Sequence, residues 1–262
     1  MRPLLIGCDL DGTLVRTDGT ISARSVAAIA RAEEAGVPFV IVTGRPPRWL
    51  PEVADALGHH GLAVCANGAL VYDLHSEEVV REDLLGVNAL REVVDALRGH
   101  VPGVAFAVEY GRSFSHESGY HPHWDAGGPG VTVAAPEEML IRPAAKLLVR
   151  HATMGPDELL ETARGVLGSR VTMTHSSPDG LLEVSAAGVT KATGLAALAQ
   201  DRGIDAADVV AFGDMPNDLP MLAWVGRSYA VANAHPEVLA AAGEVVESND
   251  EHGVARTLER WF

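Results

Sequence analysis

The chain carries only two cysteines in 262 residues, Cys8 and Cys65, so a disulfide-stapled secreted scaffold is excluded. Each lies inside an apolar segment, and strand alternation turns Cys8 away from the face used by its neighbour Asp9, so both are expected in the core. Basic residues are also scarce. Twenty stand against 35 acidic ones, a formal charge of -15, which disfavours nonspecific attraction to nucleic acid or to anionic lipid. An anionic ligand would therefore need a local positive centre. No run of about 18 apolar residues occurs, and the N-terminus enters directly into a strand pattern instead of a basic segment and signal core. A cytoplasmic protein with no membrane partner is expected. What the chain does have is 47% hydrophobic residues, enough for one large α/β domain or two unequal ones.

The first 80 or so residues alternate strand and helix: Leu4 to Asp9, Ser22 to Ala35, Val37 to Val42, Pro46 to Leu57, Leu62 to Ala66 and Ala69 to Tyr72. That rhythm predicts a parallel sheet. Ser22 suits a helix N-cap and Gly36 a helix end, while Val37 to Val42 is a continuous apolar run of the kind buried on both faces. The alternation returns late, with helix Thr190 to Asp201, strand Val209 to Phe212, helix Asp218 to Trp224, strand Ser228 to Ala232 and a terminal helix Val254 to Trp261. Trp261 and Phe262 are expected to pack that helix onto the core. Between lies a stretch of different character, with helices near Asn88 to Leu97 and Pro156 to Leu167, strands Val104 to Tyr110, Lys146 to Arg150, Arg170 to His175 and Leu181 to Val184, and a Gly-, His- and Pro-rich loop from Gly111 to Gly130. The expected architecture is an α/β, Rossmann-like parallel-sheet core, residues 1–82 and 186–262, with helices on both faces, plus a smaller α+β insert, 83–185.

Chemistry gathers at predicted strand ends. Asp9 and Asp11 close the first strand, and residues two apart on an extended backbone project to one side. Two like charges so close make sense where a cation holds one carboxylate and the other exchanges a proton. Thr43-Gly44-Arg45 follows the second strand and supplies a hydroxyl and a glycine-freed backbone. Lys191 opens a helix. Gly213-Asp214-Met215-Pro216-Asn217-Asp218 follows the strand Val209 to Phe212 and adds two acids and an amide. Each fragment alone reads as an ordinary turn or cap. In a parallel sheet, however, carboxyl ends share one edge, so Asp9, Asp11, Thr43, Asp214 and Asp218 are expected to converge. Hard oxygen ligands with one lysine suit Mg²⁺-assisted phosphoryl transfer, and the motifs contain no histidine or paired cysteine for zinc.

These motifs, with Ala66-Asn67-Gly68-Ala69, Leu182-Glu183-Val184 and Gly188-Val189-Thr190-Lys191, resemble those of the haloacid dehalogenase superfamily of phosphohydrolases, in its Cof-like sugar-phosphatase branch. The resemblance implies that Asp9 is a nucleophile forming an aspartyl-phosphate and that Asp11 protonates the leaving oxygen and then activates water. It implies Mg²⁺ on the carboxylates of Asp9 and Asp214 and the backbone oxygen of Asp11, supported by Asp218. Thr43, Gly44 and Lys191 would hold phosphate, with Asn217 beside it. The long insert falls between the second and third motifs, a placement that in the family marks a cap closing over the site. Ala192 stands where relatives commonly carry Gly and removes no chemical group.

The expected partner is a small phosphorylated metabolite, a sugar phosphate above all, acted on by a monomer or homodimer. A phosphomutase of the phosphomannomutase type is the enzymatic alternative, and a sugar-phosphate sensor without turnover the non-catalytic one. Within the insert, Glu109, Arg112, His121 and His123 are candidates for contact with the leaving group. The cluster His116, His121, His123 and Trp124 matches no zinc spacing and reads as a loop or substrate-facing rim.

Overall fold

The computed structural model describes residues 2–58, 60–122, 127–176 and 180–262. In chain order the first part gives β1 (Leu5–Cys8), α1 (Ala23–Glu34), β2 (Phe39–Val42), α2 (Pro51–Ala56), β3 (Leu62–Cys65), β4 (Leu70–Asp73) and β5 (Glu78–Glu82). The middle gives α3 (Val87–His100), β6 (Ala105–Glu109), β7 (Phe114–His116), β8 (Val131–Val133), α4 (Pro136–Met139), β9 (Lys146–Arg150), α5 (Pro156–Leu167), β10 (Val171–Thr174) and β11 (Leu181–Ala186). The last part gives α6 (Lys191–Asp201), β12 (Val209–Gly213), α7 (Leu219–Trp224), β13 (Arg227–Val231), α8 (Pro236–Ala241), β14 (Glu244–Val246) and α9 (Gly253–Leu258).

Two compact units result. The first comprises Met1–Arg45, Trp49–Arg81 and Thr190–Phe262, the second Pro46–Arg48 and Glu82–Val189. In the first unit the strand order is β14-β13-β12-β1-β2-β3-β4-β5. From β14 to β3 every neighbour runs parallel. The apolar run predicted as a doubly buried strand is one, since all four residues of β2 are buried, and so are those of β1. Ser22 caps α1 by accepting from Ser25 N–H. The chain leaves β1 toward β2 on one side and later returns as β12 on the other, so β1 stands at the switch point where an open sheet forms a crevice beyond its carboxyl ends.

Three expectations change. Leu62–Cys65 and Leu70–Asp73 are not successive parallel strands but an antiparallel hairpin, because Ala66, Asn67 and Gly68 all take positive φ (50°, 57° and 103°) and reverse the chain at once. The helix expected over Pro46 to Leu57 is a 3-10 turn at Pro47–Trp49 followed by α2, since Pro51 fits a helix start and not its interior. The terminal helix ends at Leu258 and not at Trp261, while Trp261 packs onto the core as expected, edge-on against Tyr229, which stacks on Phe212.

The second unit is a six-stranded sheet, β10-β11-β9-β6-β7-β8, antiparallel except at β7 and β8. Phe106, Val108, Leu147, Val149, Leu182 and Val184 alternate onto the face that packs with Leu90, Val94 and Leu97 of α3 and Leu159 and Ala163 of α5. The segment read as one loop from Gly111 to Gly130 thus contains β7, and β8 follows it. On the opposite face of the sheet Lys146 pairs with Glu183, both side chains almost wholly buried.

Candidate active site

The carboxyl end of β1 delivers Asp9, and β12 beside it ends in Gly213 before Asp214. Asp9 is 4% exposed, Asp214 6% and Asp218 0%, so three acids are withdrawn from water together. Each offers an oxygen within 4.8 Å of the others. Such a cluster needs a countercharge, and Lys191, itself 1% exposed, supplies one. Its Nζ donates to Asp9 Oδ1 at 2.5 Å and to Asp218 Oδ1 at 2.7 Å. The lysine is the first residue of α6, whose N-cap Thr190 accepts from Thr193 N–H at 3.3 Å.

The loop after β12 is folded around Asp218. Its Oδ2 accepts the N–H groups of Asp214 and Met215, both at 3.0 Å. Gly213 is required there, because a Cβ would lie 2.6 Å from the Asp218 side chain. Thr13 Oγ1 donates to Asp214 Oδ1 at 2.9 Å, and Gly12, at φ 81°, brings its backbone against Asp214 Oδ2 so closely that any Cβ would collide with it.

Electrostatics follow from the burial. Desolvation pushes the Asp9 carboxyl well above the usual carboxylate range; Lys191 pulls it back, and Asp218, Asp214 and Asp11 add to the rise. Desolvation likewise, with Asp218, pushes Asp214 up to about 7, against the lowering effect of the Thr13 hydrogen bond and Lys191. Burial opposes the charge on Lys191, but Asp218 and Asp9 overcome it and hold its pKa above the ordinary lysine value. One ammonium is thus set among three buried acids, and the remaining negative charge fits a divalent cation. The donors are hard oxygens, the kind Mg²⁺ takes. Asp218 already serves Lys191 and two backbone amides, which leaves Asp9 and Asp214 as the carboxylates suited to turn an oxygen to a metal.

Asp11 stands apart from this cluster. Its carboxylate is 60% exposed and gripped by Arg45, Nε to Oδ2 at 2.8 Å and Nη2 to Oδ1 at 2.6 Å. Thr43, 1% exposed, accepts the Arg45 N–H on its Oγ1 at 3.0 Å. Gly44 lies between them at the end of β2. The hairpin turn braces this loop, Ala66 N–H donating to Arg45 O and Asn67 N–H to Thr43 O, both at 3.0 Å. Asn217 Nδ2 donates to Asn67 Oδ1 at 3.1 Å. Asp9, Asp214, Asp218 and Lys191 are therefore in one cluster, Thr43 and Asn217 are joined through the turn, and Asp11 faces Arg45. Sequence reasoning gave Thr13 and Arg45 no role. Their partners lie on other strands, and only the spacing Thr-Gly-Arg hinted that Arg45 belonged to the site.

Among the candidates of the second unit, Glu109 is buried, paired with Arg48 and accepting Gly111 N–H at 2.7 Å. Burial pushes its carboxyl up while Arg48 lowers it. Arg112 and His121 are exposed, and His123, with Trp124, lies outside the described residues. Cys8 and Cys65 are both buried, and burial pushes the Cys8 thiol well up, as suits a core residue.

The sequence profile of the haloacid dehalogenase-like hydrolases matches residues 6–258. The chain belongs to that family, in its Cof-like branch, and is a phosphatase with a Rossmann-like core and an α+β cap. It is 31% identical to YxeH of Bacillus subtilis (strain 168), across 97% of this chain and 96% of that protein. It is 27% identical to the pyridoxal phosphate phosphatase YbhA of Escherichia coli (strain K12), across 98% and 97% respectively. Among solved structures, BT1666 of Bacteroides thetaiotaomicron, a phosphatase of the same superfamily, superposes with a TM-score of 0.83 at 26% identity, covering 99% of this chain and 95% of that one.

Proposed function

We propose that this phosphatase is Mg²⁺-dependent and hydrolyses small phosphorylated metabolites, sugar phosphates above all, through an aspartyl-phosphate on Asp9. The observation that carries the reading is the buried Lys191 ammonium bridging Asp9 and Asp218 beside Asp214. In the first step an Asp9 oxygen attacks phosphorus, the bond from phosphorus to the leaving oxygen breaks, and Asp11 gives that oxygen a proton. In the second, Asp11 takes a proton from water as the water oxygen attacks phosphorus, and Asp9 leaves as the free carboxylate. Lys191 offsets charge on the phosphate, while Thr43 Oγ1, the Gly44 backbone and Asn217 are assigned its oxygens. The Asp9 and Asp214 carboxylates with the Asp11 backbone oxygen would hold Mg²⁺, which when bound neutralises phosphate charge, and Asp218 supports that shell.

Asp11 is exposed, with both carboxylate oxygens held by Arg45. We assign the second unit the part of a specificity cap, with Glu109, Arg112, His121 and His123 as the side chains that select the leaving group; pyridoxal phosphate, the substrate in YbhA's name, belongs in the test panel. The experiment is phosphate release from p-nitrophenyl phosphate and a panel of phosphorylated sugars and cofactors, with Mg²⁺ and with chelator. Asp9→Asn is expected to lose at least about 10³-fold in kcat. Full activity in that variant overturns the covalent route, and isomerisation without phosphate release would assign a mutase.

A further inference from the structure

The segment after β1 carries Asp11 and is closed on itself. Leu10 O accepts the N–H groups of Thr13, Leu14 and Val15 at 3.2, 3.0 and 2.8 Å, and Asp11 forms an isolated β-bridge with Val15. Two asparagines from the far end of the chain take the carbonyls this turn presents. Asn233 Nδ2 donates to Gly12 O at 2.7 Å, and Asn249 Nδ2 donates to Val15 O at 2.9 Å. They are joined to each other, since Asn249 N–H donates to Asn233 Oδ1 at 3.0 Å. Next in line, Asp250 accepts both the N–H and the Oγ1 hydrogen of Thr17, at 3.0 and 2.8 Å. Asn233 follows β13 and Asn249 follows β14, parallel neighbours whose ends lie on the same edge as β1.

Gly12 is the residue after Asp11, and Val15 is the bridge partner of Asp11. The two amides therefore hold the turn that follows the acid, at the next residue and at its bridge partner, while Arg45 holds its carboxylate. We infer that Asn233 and Asn249 are positioning residues for Asp11: they fix the backbone from which the proton-transferring carboxylate projects. The inference rests on the proposed role of Asp11 as the acid for the leaving group. A misplacement of about 1 Å at such a group costs on the order of 10²-fold in rate.

The test compares kcat/KM for p-nitrophenyl phosphate, whose leaving group departs without a proton, with that for a simple alkyl phosphate, whose leaving group needs one. Because the Asp11 backbone oxygen is also assigned to the metal, both values are read at saturating Mg²⁺, where Asn249→Ala is expected to lower the alkyl value about 10- to 100-fold and the p-nitrophenyl value by a clearly smaller factor, at least about 3-fold less. Asn233→Ala, at an exposed position, should show the same selectivity and keeps the test alive if Asn249→Ala fails to fold. Equal losses on both substrates, or no loss, overturn the inference. Asp11→Asn is the reference. If it shows the selective loss and the asparagine variants do not, only the positioning role falls; if Asp11→Asn is unselective, the acid role falls and the inference with it.

Discussion

Removing the Lys191 ammonium is the perturbation that discriminates most sharply. At an effective dielectric constant of about 20, its contacts at 2.5 and 2.7 Å are each worth roughly 6 kcal/mol of attraction. Burying the ammonium costs several kcal/mol, so the net loss on breaking the arrangement from one side is about 3–5 kcal/mol. Lys191→Met keeps the volume and leaves Asp9, Asp214 and Asp218 buried without a cation. At roughly 2–4 °C per kcal/mol, the melting transition of the first unit should fall by about 6–20 °C at pH 8. The pH dependence carries the sign. Asp9 and Asp214 already have folded pKa values above their unfolded ones, and without the lysine these rise further, so the variant's deficit grows as pH rises and shrinks toward pH 5, where the two acids take up protons. Calorimetry at pH 5 and pH 8, with Lys191→Met and Lys191→Met/Asp218→Asn side by side, decides it. The double variant should recover at least about 1 kcal/mol. A melting point unchanged at pH 8, or a deficit larger at pH 5, refutes the reasoning.

Asp214, held up to about 7 by burial, gives the metal-free protein the same sign: its stabilising share is complete below about pH 4 and is lost as pH rises through 7, so with chelator the melting point should fall from pH 5 to 8, and Mg²⁺ should flatten that slope. A slope that Mg²⁺ leaves untouched would count against the cation site. Gly12→Ala sets a Cβ at φ 81° against Asp214 and should cost about 1–3 kcal/mol in denaturant titration and displace Asp214, so that activity falls even where the protein remains folded. In the second unit, Lys146→Met removes the ammonium that pairs with the buried Glu183 and should cost about 3–5 kcal/mol, whereas Lys146→Met/Glu183→Leu should recover part of that loss in the same titration.

The elements that were legible are those whose own residues dictate burial. Val37 to Val42 reads as a strand because all of it is apolar, and Thr190 announces α6 because its hydroxyl can cap. The short outer strands were not legible. Glu78–Glu82 has no buried residue and Glu244–Val246 only one, so hydrophobic pattern cannot mark them; pairing with the neighbouring strand makes them strands. The two strands Leu62 to Ala66 and Ala69 to Tyr72 were separated at Asn67-Gly68, but the strand-helix rhythm before them suggested a parallel sheet, so the hairpin signalled by that turn was not read. Asp9, Thr43, Lys191 and Asp214 could be singled out since each sits at a predicted element's end. Arg45, Thr13, Asn233 and Asn249 could not, because their meaning lies in which distant atom each one meets, and a motif records only its own neighbours.

The central place of β1 also sets an order of events. Its two neighbours are β2, which follows it closely, and β12, which ends at Gly213, about 170 residues after β2. At a synthesis rate of about 5–20 residues per second, β1 and β2 wait roughly 10–35 s with a bare apolar edge before β12 leaves the ribosome. During that interval the whole sequence of the second unit emerges and can complete its own sheet. The site residues meet only afterwards, so the nascent chain holds a folded insert before it holds a catalyst, and the unpaired edge of β1 is where a chaperone or a misfolding contact would act first.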